Sequence, residues 1–304
     1  SMCGKDRGTG QAEAILLGAA QDGGVPQAGC ACAHCQSARS DAAQRQWAAC
    51  LGLVDRASRQ SWLIDATPDF RPQLDALQDC AGSSELAPSG SSGYGPDCPL
   101  AGILLTHAHI GHYAGLIHLG REAWNTRELP VYASASMAAF LCNHAPWSQL
   151  VSLGNVALRP LAPGQAVALS PRLRVTPIPV PHRDELSDTL AFVVEGPRRR
   201  LFYCPDIDAW DDWEHDLRAF VGEMDVALLD GTFHGAAEQS GRDLDSIPHP
   251  LALDTAGRLA GVACDVRLIH LNHTNPLWRS GPEREWLEAQ GLAVGAFGDR
   301  WRLG

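Results

Sequence analysis

Thr106-His107-Ala108-His109-Ile110-Gly111-His112 decides how this chain is read. It follows Gly102-Ile103-Leu104-Leu105, a short apolar run that reads as a buried strand. It precedes Tyr113-Ala114-Gly115-Leu116-Ile117-His118-Leu119, which suits a helix. Three imidazoles therefore meet in the turn where a strand ends. His107 and His109 alternate, so in an extended segment both point to one side. His112 opens the next element and turns back toward the same point. Neutral imidazole is a common ligand for zinc, copper and iron, so the turn predicts a metal site.

Working outward, the 304 residues are 45% hydrophobic and 19% charged, ordinary for a globular protein. A formal net charge of -11 argues against nucleic acid or an anionic membrane as partner and leaves a small-molecule substrate. No run is long and apolar enough to form a transmembrane segment. Residues 1–11 read as a flexible polar leader, with Ser1-Met2 resembling a cloning remnant. Residues 12–304 read as a single domain in two pseudo-repeated halves, about 12–150 and 151–304. Cys3-Gly4 has two readings. Cys3 carries a lipid anchor on a periplasmic lipoprotein, or it is incidental after a natural start at Met2 in a cytoplasmic protein.

Ala14-Ile15-Leu16-Leu17 reads as the first strand, and Gly18 to Gln27 as a glycine-rich loop. The loop lacks the Gly-Lys-Ser/Thr of a phosphate loop, so nucleotide binding is not expected. Cys30-Ala31-Cys32-Ala33-His34-Cys35 follows at once. Thiols this close suit thiolates converging on one zinc ion; free or disulfide-bonded thiols are the alternative. A closed zinc site wants a fourth ligand, which His34 is too adjacent to supply easily.

Trp62 to Phe70 reads as a strand ending in acids, with Asp65 and Asp69 as caps of a helix near Arg71 or, as likeness to related enzymes implies, as supports of the histidine turn. Cys80 and Cys98 bracket a serine- and glycine-rich insertion, 81–97, and a disulfide between them would favour an oxidising compartment. Pro130 to Ala133 reads as a strand, Met137 to His144 as a helix, and Ala145 to Gln149 as a surface turn. His118 and His144 read as surface or packing residues. Beyond Val151, strands are expected at Val156–Arg159 and Leu173–Val180, in Leu201–Asp208 with an acid at its tip, in Val226–His234 with polar residues at its end, and in Val266–Pro276 as a last strand-and-site. His182, Asp206, Asp230 and His270 stand at or just beyond the ends of four of them. Asp230, Thr232 and His234 could shape a pocket, with Asp230 equally suited to a structural cap; His249 could line its wall.

The histidine turn resembles the His-x-His-x-Asp-His motif of the metallo-β-lactamase superfamily, with Gly111 in the aspartate position. The loop and cysteines from Leu17 to Cys35 are similar to the coenzyme PQQ biosynthesis protein B family. The cysteine site also resembles that of the phosphonate-pathway phosphodiesterases. The resemblance runs from about Ile15 to the C-terminus and fails in the insertion. It implies an α/β protein with an αββα sandwich, in which two mixed sheets face each other, helices lie outside and ligands gather along one edge.

The same resemblance assigns His107, His109 and His182 to a first metal and makes Asp206 the bridging carboxylate, with Asp208 as a substitute. His112, His270 and Asp206 would serve a second metal. His273, after Asn272 and before Thr274-Asn275-Pro276, is the expected fourth ligand for Cys30, Cys32 and Cys35. A metal held this way lowers the pKa of bound water and supplies hydroxide near neutral pH. Glycine offers no side-chain ligand. The second metal is therefore expected to bind weakly, or to draw on Asp184, Glu185 or Asp188. Alternatively His112, His270 and Asp206 act catalytically without a second metal. Gly111 itself reads either as a lost ligand or as a residue placed for a positive φ. Three functions follow: a zinc-dependent hydrolase of a small ester, lactone, amide or phosphodiester; an iron-dependent oxidative enzyme of PQQ-type cofactor synthesis; or a non-catalytic carrier or binding module.

Overall fold

Alternation along β1 (Ala12–Gly18) shows how the layers arise. Ala14 and Leu16 face one apolar layer while Ile15 and Leu17 face another, as the two-residue period of a strand requires. The computed structural model describes residues 11–82, 99–239 and 248–304. Within them the first sheet runs β14 (Arg300–Arg302), β1, β2 (Cys50–Asp55), β3 (Gln60–Ile64), β4 (Leu100–Leu104), β5 (Leu129–Ala133) and β6 (Val156–Pro160). The second runs β13 (Leu292–Val294), β12 (Asp265–Ile269), β11 (Val226–Asp230), β10 (Arg200–Cys204), β9 (Thr189–Glu195), β8 (Arg174–Val180) and β7 (Val167–Ala168).

Trp62, Ile64, Phe192, Tyr203, Leu228 and Trp301 fill the layer between the sheets. Helix Phe70–Gly82 covers the outside of the first sheet through Phe70 and Leu77. Helices Ala252–Leu259 and Pro282–Ala289 cover the second through Ala256, Leu259 and Leu287. Each fully buried large side chain contributes about 1.5–3 kcal/mol against leaving it exposed. This is the αββα sandwich expected from the sequence. The first sheet draws on both sides of residue 150, since β6 pairs with β5 and β14 with β1.

Strand directions place the site. β3 through β6 are mutually parallel, and β1 shares their direction because it reaches β3 through antiparallel β2. β10 through β13 are likewise parallel, and β8 runs with them through antiparallel β9. In open sheets of this kind, chemistry gathers beyond the carboxyl ends of the strands.

Several local expectations are corrected. The strand at Trp62 ends at Ile64, because Asp65 adopts φ 71° and breaks the extended run. Residues beyond Pro146 form a helix, Trp147–Ser152, with buried Leu150 holding it, rather than only a turn. No helix among the described residues is long and apolar enough to cross a membrane. Cys3 and the leader through Gly10, the insertion beyond Gly82, and the Cys80–Cys98 pairing lie outside the described residues.

Candidate metal centre

β3, β4, β8, β10, β11 and β12 each deliver a polar residue beyond the same edge: Asp65, the histidine turn, His182, Asp206, Asp230 and His270. His109 Nδ1 lies 2.9 Å from His107 Nε2 and 3.1 Å from His182 Nε2. Two nitrogens bound tetrahedrally to one zinc would stand roughly 3.3 Å apart, so these three atoms face a common point. All three rings are otherwise held in place, with His107 and His182 buried and His109 half-buried.

Asp206 stands between this group and a second one, its Oδ1 toward His182 and its Oδ2 shared among His107, His112 and His270. Its Oδ1 is 3.6 Å from His182 Nε2, and its Oδ2 is 3.6 Å from His107 Nε2. The same Oδ2 lies 2.9 Å from His112 Nε2 and 3.2 Å from His270 Nε2. His112 Nε2 is buried and makes no hydrogen bond despite that closeness. A buried nitrogen crowded against carboxylates without hydrogen-bond alignment is the donor geometry of a cation site, and the donor set fits a divalent metal.

The far side of each ring is anchored. Asp65 Oδ2 accepts from His112 Nδ1 at 2.7 Å, and Asp208 Oδ1 from His182 Nδ1 at 2.7 Å. Thr106 Oγ1 and Thr232 Oγ1 stand 2.9 Å from His107 Nδ1 and His270 Nδ1. Asp65 in turn accepts from the Thr106 backbone and hydroxyl, and Asp230 from those of Thr232. Such outer bonds fix tautomer and ring angle and leave Nε2 free for a metal. Asp65 and His270, at φ 71° and 62°, occupy the left-handed region, a cost of order 1–3 kcal/mol met at functional turns.

Cys30, Cys32 and Cys35 place their sulfurs 3.4, 3.7 and 3.6 Å from His273 Nδ1. Tetrahedral zinc with Zn–S near 2.3 Å and Zn–N near 2.05 Å would set this separation at roughly 3.6 Å. His34 points elsewhere, its Nδ1 3.0 Å from the His273 carbonyl oxygen. Burial pushes Cys35 up to about 11; Cys32 is lowered against its burial by hydrogen bonds from the Cys35 and His34 backbone and from neighbouring thiols.

Electrostatics divide the histidines. Burial, then the His112 charge, lowers His107 well below its ordinary range; burial and then His182 lower His109. Neutral imidazole is the ligating form. Burial also opposes charge on His112, but Asp65, Asp206 and Asp22 outweigh it and raise that group well above its usual value, so these carboxylates favour a positive charge there that a bound cation would supply in place of the proton. Burial likewise opposes ionisation of Asp206 and Asp22. His270, His182 and His112 overcome it for Asp206, and His112 and His270 for Asp22, holding both well below the carboxylate range.

The residues expected at the centre, His107, His109, His112, His182, Asp206 and His270, are thus brought together, and Cys30, Cys32 and Cys35 meet His273. Three expectations give way. Asp208 stands behind His182 rather than in place of Asp206. Glu185 reaches His109 at 3.3 Å, and Asp188 accepts from Ser134 and Ser136, so neither serves the His112–His270 side. Gly111 carries no positive φ; it lies in helix Ile110–Tyr113. His118 stacks on Phe70 and His144 packs on Phe140, as expected of packing residues. Asp69 accepts from Ala48 N and takes no part.

One residue enters that sequence reading did not assign, Asp22, and a second, His249, stands closer in than expected. Asp22, in the loop after β1, puts Oδ1 3.2 Å from His270 Nε2 and 3.6 Å from His112 Nε2. His249, expected only as a wall, is buried beside Asp206 at 3.6 Å, with Nδ1 2.7 Å from Asp230 Oδ2. Burial opposes its charge, but Asp230 raises it to about 9. The signal for Asp22 was a missing one, the carboxylate absent at position 111.

Residues 61–270 match the family described as Beta-lactamase superfamily domain. Coenzyme PQQ synthesis protein B of Ruegeria pomeroyi is 30% identical over 302 residues, covering 92% of this chain and 96% of that protein. Its counterpart from Methylobacterium sp. is 29% identical, covering 93% and 97%. Among solved structures, Zn2+-bound PqqB from Methylobacterium extorquens matches with a TM-score of 0.76 at 23% identity, over 95% of this chain and 99% of that one. A diphosphatase from the PhnP family matches with a TM-score of 0.66 at 20% identity, over 96% and 97%.

Proposed function

This chain belongs to the beta-lactamase superfamily, and from that premise we propose that it is a metal-dependent hydrolase of a small ester, lactone, amide or phosphodiester. One observation supports the reading: the buried Asp206 carboxylate lies within 3.6 Å of His107, His182, His112 and His270 at once, with Oδ1 toward His182 and Oδ2 toward the other three. Divalent ions bound there would lower the pKa of water toward neutrality and polarise a carbonyl or phosphoryl oxygen.

The chain's own residues supply the rest. Asp65, Asp208, Thr106 and Thr232 hold the ring angles before substrate arrives, so little reorganisation is left to the reaction. His249 keeps a proton through Asp230 and stands beside Asp206, where a leaving group would need one. His109 is the most exposed of the three first-group histidines, and Ile110 and Leu186, next in sequence to His109 and to Glu185, are 57% and 47% exposed. The test is a panel of esters, lactones, amides and phosphodiesters offered to metal-stripped and zinc-loaded protein. Zinc-dependent turnover lost in His107→Ala supports the reading; no turnover of any class refutes it.

A second reading, an iron-dependent oxidative step in PQQ-type cofactor synthesis, draws on the full-length likeness to coenzyme PQQ synthesis protein B. Imidazoles with carboxylates also suit ferrous iron. Oxygen uptake by iron-loaded protein, without hydrolysis, would favour it.

A further inference from the structure

A Cβ built on Gly111 would lie 2.2 Å from Cγ of Asp22 and 2.6 Å from its Oδ2. Any side chain at position 111 would therefore start in the space that the Asp22 carboxylate already fills. The two positions are also bonded: Gly111 donates its backbone N–H to Asp22 Oδ2 at 3.0 Å. That bond fixes one oxygen and leaves Oδ1 facing His270 Nε2 at 3.2 Å and His112 Nε2 at 3.6 Å.

We propose that Asp22 supplies, from the loop after β1, the carboxylate ligand of the His112–His270 metal position, and that Gly111 is the vacancy that admits it. The inference rests on the metal-centre reading above and deepens it. With Asp206 shared, this position then has four protein donors rather than three, and needs none from the loop of Glu185 and Asp188.

The Asp22 loop is built to hold that aim. Gln21 N donates to Leu271 O and Leu271 N to Ala19 O, both at 2.9 Å, so the loop is laced to the segment carrying His270. Gly24 N closes a turn onto Gln21 O at 2.8 Å. A few residues further on, Cys30, Cys32 and Cys35 meet His273 from the same segment. The loop is thus tied on both sides of Asp22 to the chain that presents His270.

The test is a metal inventory, read apart from activity. Metal-stripped protein is titrated with Zn2+ by calorimetry, and metal content after desalting and melting temperature are recorded. Wild type should hold zinc at the thiol group, at the His107 group and at the His112–His270 group. Asp22→Asn, nearly the same size, should bind the last of these at least about tenfold more weakly, since even outer partners of ligands are worth 10–100-fold. Gly111→Asp alone should melt lower, because the new carboxylate collides with Asp22. Asp22→Gly combined with Gly111→Asp should bring the ion back, a non-additive rescue. Unchanged zinc affinity in Asp22→Asn overturns the proposal, as does a folded double variant that binds no better than Asp22→Asn. Wild type that binds no ion at the His112–His270 group overturns it too, while leaving a one-metal hydrolase intact. Zinc rescue without turnover of any substrate does the reverse: the hydrolase reading falls and this inference stands.

Discussion

Asp206 Oδ2 lies within 3.2 Å of His270 Nε2 and 2.9 Å of His112 Nε2, while its Oδ1 looks toward His182 at 3.6 Å. One carboxylate from the tip of β10 therefore joins donors from β4, β8 and β12. Behind it, His182 leans on Asp208 and His112 on Asp65, and these outer contacts make separate predictions.

Asp208 bonds His182 Nδ1 at 2.7 Å from a partly exposed position. Asp208→Ala should leave the fold intact but free the His182 ring to rotate. Zinc affinity at the His107–His109–His182 group should then fall about 10–100-fold, with the thiol group unaffected. Equal affinity in variant and wild type would show that Asp208 does not hold the ring.

Cys32→Ala should remove the zinc of the thiol group and lower the melting temperature, because metal binding at a closed site contributes to folding. It should also weaken zinc at the His112–His270 group, since Asp22 lies on the loop that the thiols tie to His273. Normal zinc content and stability in that variant would remove the thiol site from the account.

His249→Gln should cut turnover about 10²–10⁴-fold, the usual worth of a positioned proton donor, with zinc content unchanged. The loss should be small for substrates whose leaving group departs without a proton, such as a nitrophenolate. A uniform loss across leaving groups, or loss of zinc, would make His249 a ligand or a packing residue instead.

Asp55 is fully buried and accepts from Ser170 Oγ at 2.6 Å and from the Ala57 and Ser58 backbone. Burial opposes its ionisation, but Ser170 and Ser58 outweigh that and lower its pKa. A carboxyl lowered from an unfolded value of about 3.9 contributes stability that is complete above that value and lost as pH falls through the lower folded one. Asp55→Asn should cost about 1 kcal/mol near neutrality, from the lost hydrogen bonds. The difference from wild type should shrink in acid. A pH-independent difference in denaturant unfolding would contradict this.

Much of the fold and of the centre is legible in sequence because the ligands sit at strand ends. His107 and His109 alternate, and His182, Asp206 and His270 each follow an apolar run, though it is the family resemblance that gives the last three their roles. Asp22 was not legible. An aspartate in a glycine-rich loop signals a turn, and its role arises from a contact 89 positions away in sequence. His249 stands between two prolines with no periodic pattern around it, and only the Asp230 contact reveals it. β2 and β9 are not legible, because short apolar runs without a ligand at the tip do not distinguish strand from buried helix.

The most direct test of the centre is a crystal structure of zinc-loaded protein with anomalous data at the zinc edge. The account predicts one peak among Cys30, Cys32, Cys35 and His273, and a pair flanking Asp206, one of them bonded to Asp22, His112 and His270. A centre holding zinc only at His107, His109 and His182, with Asp22 bonded to nothing but protein, would contradict it.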